Sequence, residues 1–183
     1  LSDNNVQCIY KDKNGFMWIG TESGLNLLDG SDITIFKNIP GNPNSISYNF
    51  INDITADTSG LIWIGTQKGL NSLDPFLRKF TRVPLHKNTN TNNDNIVSLA
   101  VDKKNNLFIG TPSGLFYYDK KISKMSYIEM PGDDYKKILN NSITNLAVDN
   151  QGLLWLSTFN GLWSYNENSK IFTHEINYSN DPQ

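Results

Sequence analysis

The chain has 183 residues, of which 38% are hydrophobic and 19% charged, with a formal net charge of −2. That length is ample for a buried core, no apolar run approaches the roughly 18 residues of a membrane helix, and the near-neutral balance argues against a nucleic-acid partner. One cysteine, Cys8, excludes an internal disulfide or a multi-cysteine zinc site, and His86 and His174 alone cannot build a histidine-rich centre, so no cofactor or metal is expected.

Leu1-Ser2-Asp3-Asn4 has neither the basic nor the apolar region of a signal peptide. The first predicted strand is Val6–Lys11, closed by the turn Asp12-Lys13-Asn14-Gly15. Phe16-Met17-Trp18-Ile19-Gly20-Thr21 forms the second, the third follows Gly24-Leu25, and a short fourth covers Ile33–Phe36. The pattern then returns as Ile51–Ala56, Asp57-Thr58-Ser59-Gly60, Leu61-Ile62-Trp63-Ile64-Gly65-Thr66, Gly69-Leu70 and Lys79–Thr81. A third copy reads Ile96–Val101, Asp102-Lys103-Lys104-Asn105, Asn106-Leu107-Phe108-Ile109-Gly110-Thr111, Gly114-Leu115 and Lys124–Tyr127. The fourth reads Ile143–Val148, Asp149-Asn150-Gln151-Gly152, Leu153-Leu154-Trp155-Leu156-Ser157-Thr158, Gly161-Leu162 and Lys170–Thr173.

The four turn aspartates stand 45, 45 and 47 residues apart, so the repeat sets the architecture. Aspartate accepts backbone N–H bonds across such a turn, and the glycine three residues on supplies positive φ; Asn105 is the best substitute for it. No segment carries a 3.6-residue apolar period, and 26 asparagines favour turns over helices. Units of about 45 residues with four short strands are the mark of β-propeller blades. Leucine-rich repeats are shorter, and a β-sandwich would not repeat so regularly. The fold is therefore expected to be all-β: a β-propeller segment of four four-stranded blades, at residues 1–45, 46–93, 94–140 and 141–183, the last including a linker.

The blocks Trp18-Ile19-Gly20-Thr21-Glu22-Ser23-Gly24-Leu25-Asn26 and Trp63-Ile64-Gly65-Thr66-Gln67-Lys68-Gly69-Leu70-Asn71 resemble the two-component regulator propeller repeat. Asn42-Pro43-Asn44-Ser45-Ile46-Ser47 is similar to that family's inter-blade linker, and Phe108, Asn105 and Ser157 depart from its consensus while keeping size class or turn ability. The resemblance implies a ligand-sensing module of a hybrid two-component receptor from Bacteroidetes, periplasmic and anchored in the inner membrane. It also implies a larger, seven-bladed propeller, a cytoplasmic histidine kinase outside this chain, and oligosaccharide ligands. The implied partners are the remaining blades and domains of the receptor, and a second copy in a receptor homodimer. Four blades of seven span little more than half a circle, at about 51° each. Their two terminal faces would be left open, so the chain alone is expected to self-associate.

No constellation for catalysis is legible, so the chain itself is not expected to be an enzyme. Asp133 and Asp134 are neighbours beside Pro131-Gly132, and nothing places them, Asp94 or Glu129 at glycosidase spacing. Cys8, on a strand among apolar residues, reads as a core filler. The recurrence of Trp18, Trp63 and Trp155 in register favours core packing, and the polar residues of strand one (Gln7, Asn52, Asp53, Ser98, Thr144 and Asn145) suit a wet channel. Sugar binding asks for aromatic platforms beside amides and carboxylates at a rim. The turns between strands two and three vary inside a fixed frame, which yields Glu22, Lys68, Phe159 and Asn160 as candidates, with Tyr48 and Asn49 on the adjoining linker. Phe159 is the exception in its column, and packing beneath a linker is the competing account of it. A structural or protein-interaction propeller is the alternative to sensing, and an enzymatic propeller such as a lyase the third reading.

Overall fold

The computed structural model describes residues 1–85, 95–132 and 142–176. Within them the chain forms four antiparallel four-stranded sheets, each a meander of consecutive strands. The first holds β1 (Val6–Lys11), β2 (Met17–Thr21), β3 (Gly24–Asp29) and β4 (Asp32–Phe36). The second holds β5 (Ile51–Ala56), β6 (Ile62–Thr66), β7 (Gly69–Asp74) and β8 (Lys79–Val83). β9 (Ser98–Val101), β10 (Leu107–Thr111), β11 (Gly114–Asp119) and β12 (Lys124–Ile128) make the third, and β13 (Ile143–Val148), β14 (Leu154–Thr158), β15 (Gly161–Asn166) and β16 (Ile171–Ile176) the fourth. These are propeller blades, and no helix occurs among the described residues. The chain divides into two compact units, 1–99 and 100–183.

Each sheet is built by the same local chemistry. Asp12 Oδ1 accepts the N–H of Asn14 at 2.9 Å and of Phe16 at 3.0 Å, while the Gly15 N–H returns to the Asp12 carbonyl at 3.0 Å. Asp149 repeats this with Gln151 and Leu153 at 2.8 and 2.9 Å. Asn105 takes φ +65°, the left-handed conformation its turn requires. The second carboxylate oxygen reaches further: Trp18 Nε1 donates to Asp12 Oδ2 and Trp155 Nε1 to Asp149 Oδ2, both at 3.0 Å. The indole bond holds the Asp149 carboxyl below the usual carboxylate range. The third sheet has Phe108 in place of tryptophan, and there the Tyr117 hydroxyl donates to Asp102 Oδ2 at 3.0 Å. Burial, then the Asp102 bond, pushes the Tyr117 hydroxyl pKa up.

In unit 1 the core lies between the first two sheets. Trp18, Leu25 and Leu27 meet Ile46, Ile51, Ile54, Ile62, Ile64, Leu73 and Phe80, with Phe36 packed against them. Cys8 packs against this core, and burial, then the neighbouring Asp53, pushes its thiol up to about 12. In unit 2 the same positions bring Phe108, Leu115 and Tyr117 against Leu146, Leu154, Leu156, Trp163 and Tyr165.

The glycine of the Trp-Ile-Gly-Thr block is not a turn residue. A Cβ on Gly20, Gly65 or Gly110 would stand 2.7 Å from Cγ2 of Ile51, Ile96 or Ile143, the residue that leads each following sheet. These isoleucines are 0–2% exposed. The glycine is therefore a hole for a knob from the next blade. Ser157 stands in that column in the fourth sheet.

Candidate functional site

The rim candidates lie where each β2–β3-type turn meets the segment leading into its sheet. In the first two sheets that meeting is a repeated latch. Ser2 N–H donates to Asn26 Oδ1 at 2.6 Å, and the Ser2 hydroxyl lies 2.8 Å from Thr21 Oγ1 and 2.9 Å from Asn26 Nδ2. Ser47, Thr66 and Asn71 reproduce it at 2.9, 2.9 and 2.8 Å. The latch column then changes, to Phe116 in the third sheet and Trp163 in the fourth.

In unit 1, Glu22 is held in place by its neighbours: its carboxylate accepts the Asn5 amide at 2.5 Å and the Gln7 amide at 3.2 Å. Lys68 is exposed on the β6–β7 turn and its Nζ stands 4.5 Å above the centre of the Tyr48 ring, a cation–π pair. The structure thus brings Tyr48 and Lys68 together. Asn49 serves the linker, its Oδ1 accepting the Asn38 N–H at 2.7 Å, while Asn38 Nδ2 binds the carbonyls of Ile46 and Ser47 at 2.7 and 3.1 Å.

In unit 2, Phe159 is 72% exposed, and most of the segment that leads into its sheet lies outside the described residues. The backbone around it is fixed. Asn160 N–H donates to Thr158 Oγ1 at 3.1 Å, and the Asn160 carbonyl lies 2.9 Å from His174 Nε2. His174 stacks on Trp163 with ring centroids 4.1 Å apart and planes 7° from parallel. Sequence reasoning did not find the roles of Trp163 and His174. Their signal was two aromatic rings at columns that carry Asn71 and Arg82 in the second sheet.

Of the strand-one polar residues, Gln7, Thr144 and Asn145 are exposed, whereas Asn52, Asp53 and Ser98 are held by their neighbours. Asn52 Nδ2 donates to Asn95 Oδ1 at 2.8 Å and to the Ile96 carbonyl at 2.6 Å. Asp53 accepts the Leu99 N–H at 2.7 Å and the Ser98 hydroxyl at 3.1 Å, and burial pushes its carboxyl pKa up. Asp94, Asp133, Asp134 and His86 lie outside the described residues. Among those described, no group of three or more acidic, histidine or cysteine side chains could hold a metal ion.

Three stretches, residues 1–23, 45–68 and 137–160, match the family described as the two component regulator propeller. They are two-component regulator propeller repeats. Among curated proteins, a segment of 47 residues is 45% identical to histidine kinase P4 of Formosa agariphila and covers 26% of this chain and 3% of that protein. The fold is similar to the extracellular domain of the hybrid two-component system BT4673 from B. thetaiotaomicron, with a TM-score of 0.79 and 27% identity over 98% of this chain. Of that solved domain this chain spans 23% of the length. A streptogramin B lyase shares the fold at 13% identity, with a TM-score of 0.75 over 98% of this chain and 57% of its own. The propeller fold is thus a frame shared with the extracellular domain of a two-component system and with a lyase.

Proposed function

We propose that this chain is part of the ligand-sensing region of a hybrid two-component receptor, placed in the periplasm. Its turn rim takes an oligosaccharide, and occupancy is relayed to a histidine kinase outside the chain. Support comes from the repeats and from 27% identity to a sensor extracellular domain over 98% of the chain. The observation that carries the ligand class is Phe159, a large apolar ring 72% exposed on a turn whose backbone is pinned by Thr158 and His174. A fixed, exposed aromatic face beside an amide, Asn160, suits the apolar face and hydroxyls of a pyranose. Tyr48, Lys68 and Glu22 offer a second aromatic, cationic and anionic set on unit 1. A bound sugar alters signalling only by favouring one receptor state over the other. The receptor's remaining blades and domains, a receptor homodimer, and self-association of the chain alone belong to the same reading.

The test is calorimetry of the receptor's extracellular region against a panel of glycan fragments, before and after Phe159→Ala. Stacking by Phe159 predicts a loss of about 1–3 kcal/mol in binding, a range borrowed from base stacking, with an unchanged melting temperature. Absent heats across the panel would refute the sensing reading, and a melting loss with unchanged affinity would refute the platform.

A further inference from the structure

The fourth strand of each sheet is an edge, and in unit 2 a groove opens beside one of them. It lies between β12 and the start of β16, has a volume of about 520 Å³, and is lined by Tyr117, Ser126 and Ile128 on one side and Tyr165, Lys170 and Phe172 on the other. The matching groove of unit 1, beside β4, holds about 220 Å³. Register gives the reason. Ile128 pairs with Leu115 as Phe36 pairs with Leu25, and Phe172 stands in the column of Phe80. In unit 1 the Phe36 and Phe80 rings meet edge to face, 5.5 Å apart, and close the gap. Ile128 has no ring to bring against Phe172, and Ser126, across from the half-buried Tyr117, adds little bulk over it.

Lys124, Ser126 and Ile128 are alternate residues of β12, and all three line the groove. The pairing of β12 with β11 is regular, and the strand holds no proline or bulge. Such an edge offers its outward N–H and C=O groups to another strand. We propose that β12 and this groove bind an extended peptide segment of a partner protein, added antiparallel to β12, with a large apolar residue opposite Ser126 and an acidic residue two positions later, opposite Lys124. Antiparallel addition continues the meander of the sheet. Main-chain bonds then supply affinity, and the side chains that enter the groove supply specificity. The apolar anchor enters between the Tyr117 and Phe172 rings. Lys124, exposed at one end of the groove, meets the carboxylate as a cross-strand pair of opposite charge. The first sheet carries Asp32 in the Lys124 column, so its edge does not share this preference. A glycan has no repeating amides to match an edge strand, and sugar binding at the rim is not required here.

The test is fluorescence anisotropy of the chain with a labelled threonine nonapeptide that carries phenylalanine at its centre and glutamate two residues later. Saturable binding is expected, falling about tenfold or more when the phenylalanine is replaced by alanine, since a buried phenyl ring is worth at least that factor. Methylating alternate backbone amides of the peptide, or placing glutamate before phenylalanine, should weaken it similarly. Ile128→Phe restores the ring found in unit 1 and should abolish binding. Lys124→Glu, at an exposed position, should transfer the preference to a peptide with lysine in place of glutamate, a readout that misfolding cannot imitate. The proposal is overturned if none of the peptides saturates, if both amide-methylated forms bind as well as the parent, or if Ile128→Phe binds as tightly as native. An unchanged charge preference in Lys124→Glu, or displacement of the peptide by glycan fragments, would overturn it equally.

Discussion

Replacing Gly65 by alanine isolates the knob-and-hole junction from every other role a glycine plays. Gly65 is not among the positive-φ residues, so the backbone tolerates alanine, and the effect is purely steric. The added Cβ would lie 2.7 Å from Ile96 Cγ2, 3.1 Å from its Cβ and 3.5 Å from its carbonyl oxygen. The first of these is about 1 Å short of ordinary contact. Ile96 cannot easily retreat: its N–H donates to the Thr66 carbonyl at 2.9 Å and its own carbonyl accepts Asn52 Nδ2 at 2.6 Å. Moving it would strain both bonds, so the cost belongs in the upper part of the overpacking range, about 2–3 kcal/mol. For a chain of this size that lowers the melting temperature by about 4–12 °C. Thermal and urea unfolding followed by tryptophan fluorescence would read it. Ile96→Ala alone costs about 2–5 kcal/mol through its cavity, but on that background Gly65→Ala should cost below about 1 kcal/mol, because the methyl it strikes is gone. Equal costs of Gly65→Ala on the two backgrounds would refute the steric account.

Two further outcomes follow from buried polar groups. Burial raises the Asp53 carboxyl above its unfolded value against the opposing bonds from Leu99, Ile54 and Ser98; its contribution is full below the unfolded pKa of about 3.9 and is lost as pH rises through the folded value. Asp53→Asn removes the charge and keeps one of the two oxygens that accept the Ile54 and Leu99 N–H groups, so its urea midpoint should gain on the native one as pH rises from about 3 to neutrality; parallel midpoints across that span would contradict this. Tyr117→Phe removes the hydroxyl that stands 3.0 Å from Asp102 and 2.7 Å from Asn106 Nδ2, at a cost of about 1–2 kcal/mol. Phe108→Trp in the same chain supplies the indole donor of the first and fourth sheets and should recover part of that loss; a double variant no more stable than Tyr117→Phe would sink the exchange.

The fold was legible because its determinants are local and repeated. Asp12, Asp57, Asp102 and Asp149 each sit at a turn whose bonds close within four residues, and Asn105 adopts the left-handed conformation its turn needs. Strand ends were less legible where tertiary contact competes. β9 begins at Ser98, two residues later than the hydrophobic pattern predicts, because Ile96 pairs its N–H with Thr66 of the preceding sheet. β16 begins at Ile171 because Lys170 takes φ +58°. The Asp–Trp bonds were readable in principle, since both residues recur six apart, but their reading as separate turn and core residues hid the link. The role of Gly65 was not readable, because the atom that demands it belongs to Ile96, on the segment leading into another sheet.

The rim follows a different logic, and the substitutions within one column show it. Asn26 and Asn71 spend every polar atom on the leading segment and the neighbouring turn, which makes them structural. Trp163 occupies the same column without that chemistry, and its Nε1 has no hydrogen-bond partner among the described residues. What it gives in exchange is a flat support for His174, which in turn holds the Asn160 carbonyl. A latch that fastens a turn to its linker has thus been replaced by a stack that fastens the turn to its own outer strand. The fourth turn is rigid for a different reason from the first two, and it can carry an exposed phenyl ring on a fixed backbone. Pre-organisation of that kind lowers the ordering cost of binding. In a repeat whose frame is copied four times, the position that breaks the copy while keeping its rigidity is where a ligand contact costs the fold least.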